Sequence, residues 1–169
     1  MTRWFTSDTH FNHKGILKHR TRFSTVDEMN EHLIAAHNSR VKKGDVVHHL
    51  GDVIWKLPFD FSRLNGSFIL YRGNHDRSIE KKLHGWKVPN WEIRDVEMLK
   101  LGGQKIWVSH YEHRVWPEAH RGAWHIFGHN HGIIPEIPDT LSMEVGVDMH
   151  PDFAPFSLEE IKAHMANKA

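Results

Sequence analysis

Five short stretches of this chain place metal-ligating or proton-carrying side chains directly behind apolar runs. They are S-D-T-H (7–10), H-L-G-D (49–52), R-G-N-H-D (72–76), V-S-H-Y (108–111) and G-H-N-H (128–131). Asp8 and His10 stand two apart, so on an extended backbone they would point the same way. Gly51 lets the chain turn sharply and present Asp52 at a strand tip. The amide oxygen of Asn74 is a competent ligand for a hard cation, and His75 is a competent proton donor. His110 closes an apolar run, and His129 and His131 follow another behind Gly128. Each stretch alone has an ordinary explanation: a capping Asp, a G-D turn, an Asx turn, a structural His. Together, seven nitrogen and oxygen donors at strand ends suffice for two metal sites sharing one carboxylate. Two divalent ions about 3.5–4 Å apart need such a bridge. Imidazole, carboxylate and amide without sulfur suit Mn, Fe, Zn or a mixture.

These side chains need elements to hold them. W-F-T-S (4–7) reads as a first strand, and D-V-V-H-H-L (45–50) after Gly44 as a buried one. F-I-L-Y-R-G (68–73) is a third strand ending in Gly. V-E-M-L-K-L (96–101), Gly102-Gly103 and K-I-W-V-S-H (105–110) predict a β-hairpin. H-I-F-G-H (125–129) predicts a strand and turn, and L-S-M-E-V-G-V-D (141–148) a late strand. Thr25 and Glu28 form a T-x-x-E capping box, with Val26, Met29, Leu33 and Ala36 as the helical stripe behind it. Ser157 and Glu160 form a second box, opening a helix over 157–168 with Leu158, Ile161 and Met165 as its apolar stripe. Strands alternating with helices predict an α/β fold with mixed sheets inside and helices outside.

The bulk composition narrows the function. A chain of 169 residues with 39% hydrophobic content is enough for one compact domain, taken as 1–169. A net charge of +1 gives no support to a nucleic-acid partner, although the seven tryptophans raise base stacking as an idea. With no cysteine, disulfides and thiolate metal sites are excluded. The start, M-T-R-W-F-T-S-D, lacks an apolar signal core, and no run is long enough to span a membrane. A cytoplasmic protein with no membrane partner is the expectation. There are 17 histidines, many of them behind glycines or strand-like segments.

The ordered set D-x-H, G-D, G-N-H-D, a later His and G-H-x-H resembles the calcineurin-like metallophosphoesterase superfamily, over residues 7 to about 148. S-D-T-H-F-N-H-K-G-I, R-T-R-F (20–23), E-M-N (28–30) and H-L-G-D-V (49–53) look like its small single-domain branch in bacteria and phages. The resemblance implies a sandwich of two mixed β-sheets flanked by helices, α-β-β-α. It implies that Asp8, His10 and His131 hold one ion, that Asn74, His110 and His129 hold the other, and that Asp52 bridges them. Under it the cofactor is two divalent ions, Mn2+ first and Fe, Zn or Ni as alternatives. The implied reaction is attack of a metal-bridging hydroxide on a phosphodiester of a small or nucleotide-like substrate. His75 matches the histidine that faces the leaving group without ligating, so the catalytic pair is His75 and Asp52.

One part of the superfamily pattern is missing. Protein phosphatases of this class carry a further Asp-Arg-Gly after G-D, whereas V-I-W-K follows Asp52 here. That argues against a phosphoprotein substrate and leaves the phosphate clamp open. Candidates are Arg20, Arg22, Arg77, Asn12 and His13. Trp55, Trp116 and Trp124 are candidate pocket walls. A phosphomonoesterase or nucleotide pyrophosphatase with the same site is the alternative, and a non-catalytic scaffold the third reading. Oligomeric state leaves no mark in this sequence.

Overall fold

The computed structural model describes residues 1–76 and 91–168. It has a mixed α/β architecture with two mixed β-sheets and few helices. The first sheet contains β1 (Arg3–Thr6), β2 (Val46–His49), β3 (Ser67–Tyr71), β4 (Trp91–Arg94) and β9 (Phe156–Ser157), in the order β4-β3-β2-β1-β9. Within it β1 to β4 pair in parallel and β9 runs antiparallel to β1. The second sheet contains β5 (Val96–Leu101), β6 (Gln104–Ser109), β7 (Trp124–Phe127) and β8 (Ser142–Glu144), in that order. Here β5 and β6 are antiparallel and β6, β7 and β8 are parallel.

Side-chain alternation assigns the two faces of the first sheet. Val47, Phe68 and Leu70 join Met29, Leu33 and Ile34 of helix α1 (Val26–Arg40) in one buried cluster. Phe5, Leu50 and Tyr71 point the other way. They join Leu99, Ile106, Val108, Ile126 and Met143 of the second sheet, so both sheets feed one core. Ile161 and Met165 of helix α2 (Leu158–Ala166) complete that core, and α2 packs on β1, β8 and β9. With apolar matter on both faces, β2 reads as a continuous run rather than an alternating one.

Local signals fix several boundaries. Thr25 Oγ1 accepts from Glu28 N at 3.1 Å, but the Glu28 carboxylate reaches Ser24 N, one residue before the expected partner. Ser157 and Glu160 form the full reciprocal box. Gly102 and Gly103, with φ of 55° and 86°, close the β5–β6 hairpin as a turn whose two centres are left-handed.

Other expectations change. The strand expected over 141–148 stops at Glu144, and Val147–Met149 is a 3-10 turn, which frees Asp148 from the sheet. Strands β4 and β9 were not expected, and β9, with two residues, is too short for periodicity to reveal. None of the described helices is long and apolar enough to cross a membrane.

Candidate metal centre

All five clusters lie just past the C-terminal ends of strands: Asp8 and His10 after β1, Asp52 after β2, Asn74 after β3, His110 after β6, and His129 and His131 after β7. In parallel sheets those ends face one side, where sites are usually built. Backbone bonds stitch the loops together: Asp8 N to Gly51 O at 2.9 Å, His10 N to Asp52 O at 3.0 Å, and Gly128 N to His110 O at 2.9 Å.

The expected extended backbone at Asp8 and His10 is not what the structure has. Asp8, His10, Asp52, His129 and His131 all have positive φ, between 47° and 74°. Asp and His are among the side chains that tolerate this region best. Each such residue costs about 1–3 kcal/mol, offset by its surroundings. The side chains therefore converge through tight left-handed turns rather than along a strand. Gly51 (φ 99°) is required at its turn, because a Cβ there would lie 2.5 Å from His110 Nδ1 and 2.6 Å from Gly73 N. At Gly128 a Cβ would overlap Ser7 Oγ and the Asp8 carboxylate.

Two groups result. Asp8, His10 and His131 bring one ligand atom each within 4.8 Å of one another, and Asp52, His110 and His129 do the same. Asp52 Oδ2 lies between them, 3.6 Å from His10 Nε2 and 3.7 Å from His110 Nε2. Asn74 Oδ1 is 3.0 Å from His110 Nε2. His129 and His131, two apart in sequence, thus turn to different groups.

Asp8 Oδ1 and both ring nitrogens of His10 are buried and lack hydrogen-bond partners. Unpaired buried polar atoms are costly unless something compensates them. His110 Nδ1 faces Leu50 O at 2.7 Å and so carries the proton, leaving a lone pair on Nε2. That lone pair faces the oxygens of Asn74 and Asp52, a repulsive arrangement that a cation would relieve. Burial pushes the Asp8 carboxyl up and the His10 imidazole down to about 2, so His10 stays a neutral donor. The donor set fits divalent first-row ions.

Outer contacts orient the donors. His131 Nδ1 meets Asp148 Oδ2 at 2.8 Å, which turns Nε2 towards Asp8 Oδ1, 3.8 Å away. Burial alone would lower the His131 pKa, but the bond to Asp148 and the charge of Asp8 carry it upwards. Asp148, held well below the usual carboxylate range despite burial, is gripped by Arg20 through two bonds of 2.7 Å. Asp76 is buried and accepts from the backbone of Asp52, Val53 and Gly73, fixing the turn that carries the bridging carboxylate. Glu144 accepts from Gly132 N at 3.0 Å, and burial lifts its pKa to about 7. Sequence reasoning assigned none of these three acids. The signal for Asp148 was present, since V-G-V-D also places an Asp just behind an apolar run and a glycine.

The phosphate-clamp expectations fare differently. Arg20 is 1% exposed and also holds Asp8 O and Thr9 O, so it is an internal tie and cannot be the clamp. Arg22 lies over Phe23 and Phe153 and donates to Pro151 O, away from the two groups. Asn12 donates to Lys56 O and Pro58 O and accepts from Asn30 Nδ2, so its amide is spent on tethering the loop after Asp52. Arg77 lies outside the described residues. His13 does reach the centre: its ring is 5.4 Å from His10 and 6.4 Å from His75 and stacks on Trp55. His75 N donates to Asp52 Oδ1 at 2.9 Å, while its ring, 36% exposed, stands on the open side with Nε2 3.8 Å from Asp52 Oδ2. Trp55 stands beside His75, whereas Trp116 is buried against Ala123 O and Trp124 packs in the inter-sheet core.

No family model matches the chain. The crystal structure of AQ665 from Aquifex aeolicus, a protein of unknown function, aligns with a TM-score of 0.72 over 96% of this chain and 98% of that one, at 22% identity, a likeness of fold. A novel archaeal phosphodiesterase of known structure aligns with a TM-score of 0.49 over 86% of this chain and 84% of that one, at 24% identity. The uncharacterized protein MJ1445 of Methanocaldococcus jannaschii is 33% identical over 170 residues, which cover 94% of this chain and 88% of the relative. On that identity and coverage, the chain belongs to the family of MJ1445.

Proposed function

We propose that this protein is a dinuclear-metal-dependent phosphodiesterase for a small or nucleotide-like substrate. In this reading it is a single domain over 1–169, with the α-β-β-α sandwich of the calcineurin-like metallophosphoesterases. The observation that carries the reading is the Asp52 carboxylate, standing between two His/Asp groups with Oδ2 3.6 Å from His10 and 3.7 Å from His110. Asp8, His10 and His131 would hold one divalent ion and Asn74, His110 and His129 the other, with Asp52 shared and Mn2+ the first choice. When bound, the ions would neutralise phosphoryl charge and supply a water acidic enough to attack near neutral pH.

The chain's own groups do the rest. Asp148 and Leu50 O hold His131 and His110 with Nε2 turned inward. His75, anchored through its backbone to Asp52, presents its ring at the open side, where it can give a proton to a leaving alkoxide. Of the arginine clamp candidates among the described residues, Arg20 and Arg22 are both engaged elsewhere. A diester carries less negative charge than a monoester and asks less of a guanidinium clamp, which favours diester over monoester.

The test is hydrolysis of an aryl phosphodiester and its monoester by metal-stripped protein refilled with Mn2+. Diester turnover should need metal and vanish with Asp52→Asn. His75→Ala should cost about 10²–10⁴ with an alkyl leaving group, and less with an aryl oxide that departs without a proton. Absence of turnover with every divalent ion tried, or a preference for the monoester, would overturn the proposal.

A further inference from the structure

Among the described residues, Trp55 and Tyr111 are the two exposed aromatic side chains, at 42% and 46%; every other described Phe, Trp and Tyr is buried or half-buried. Both border the candidate centre, on different sides of it. The Trp55 ring is 4.8 Å from His75 and lies parallel to His13 at 4.0 Å, with 6° between the planes. The Tyr111 ring is 4.6 Å from His129 and 5.0 Å from His110. Among the described residues, the two most open rings are thus the two that border the candidate centre.

Neither residue hangs on a loose loop. Trp55 N donates to Phe11 O at 2.9 Å, and Asn12 ties down the next carbonyls, at Lys56 and Pro58. Ser109 Oγ donates to Tyr111 O at 2.8 Å. Rings fixed in advance lose little entropy when a flat partner docks. Stacking also needs no charge, which suits a chain whose net charge is +1.

We propose that Trp55 and Tyr111 stack on planar rings carried by the ester arms of the substrate, which makes the substrate a nucleoside-bearing phosphoester rather than one with aliphatic arms. The proposal rests on the phosphoesterase reading and adds the substrate class to it. The experiment is isothermal titration of Mn2+-loaded protein with adenosine monophosphate and with ribose 5-phosphate, which share sugar and phosphate and differ by the base. Wild-type protein should bind the nucleotide about tenfold or more tightly than the sugar phosphate, the scale of one stacked base. The single base of this ligand can meet one of the two rings, so one of Trp55→Ala and Tyr111→Ala should remove most of that preference and the other should spare it, and Trp55→Phe should keep it. Equal affinity in the wild type, or a preference that survives both alanine variants, overturns the proposal. If ribose 5-phosphate binds in a metal-dependent way and the nucleotide binds no tighter, only the stacking fails. If neither binds and no aryl diester is hydrolysed, the phosphoesterase reading fails with it.

Discussion

His131 can offer one ring nitrogen to an ion, because Asp148 takes the other at 2.8 Å. Removing that charge should weaken one ion and spare its neighbour. Asp148→Asn is expected to lower affinity at the Asp8–His10–His131 group by about 10- to 100-fold. Paramagnetic resonance during a Mn2+ titration resolves the two steps. Equal loss at both groups, or none, would contradict the orienting role. Asp148 also leans on Arg20, whose guanidinium is buried. That dependence was not legible in the sequence, where the partners stand 128 residues apart and Arg20 reads as a solvated basic residue or a phosphate clamp. The candidate ligands were legible as candidates, because each is a polar residue behind an apolar run and three of them, Asp52, Asn74 and His129, directly follow a glycine. What the sequence did not reveal is that five of them sit at positive φ, a consequence of how the loops pack on one another.

At the scale of elements, signals confined to a few neighbouring residues were the most readable. Thr25 with Glu28, and Ser157 with Glu160, mark the two α-helices among the described residues, since a cap is decided within one turn. The two glycines mark the hairpin for the same reason. Strand β9 was missed because its two residues form a strand through pairing with Trp4 and Phe5, more than 150 positions away. The segment after Asp52 is governed by Asn12, which spans 44 and 46 residues to reach Lys56 O and Pro58 O. Asn12→Ala should destabilise the protein by about 1–3 kcal/mol, because the part-buried Asn30 amide loses its acceptor and the exposed Lys56 O and Pro58 O lose their donor. Hydrogen exchange should accelerate most at Trp55 N, which donates to Phe11 O. Protection unchanged there would show that the loop holds itself. At the other loop, Gly128→Ala should force the Asp8 carboxylate aside and weaken the same ion as Asp148→Asn, again by resolved Mn2+ titration; undiminished affinity would count against the close approach.

At the scale of the whole molecule, the histidine content has a cost in acid. His37 and His125 are buried with pKa values lowered to about 4, and His48 and His49 to about 3, chiefly by burial. In the unfolded chain they titrate at about 6.5. Between those values the unfolded state binds protons that the folded state refuses, so stability is intact above about pH 6.5 and falls as pH drops. Each group removes up to about 1.4 kcal/mol per pH unit in that window. Metal-free protein followed by circular dichroism should therefore unfold steeply between about pH 6 and 4. A midpoint below pH 3, typical of carboxylates alone, would show that the imidazoles are not the cause. The central claim concerns the two groups around Asp52, and metal content per chain tests it most directly. Stripped protein reloaded with Mn2+, desalted and measured by elemental analysis should hold two ions per chain, and Asp52→Asn should hold fewer. One ion or none in the wild type, or an Asp52→Asn variant that keeps both, would contradict a dinuclear centre built on that carboxylate.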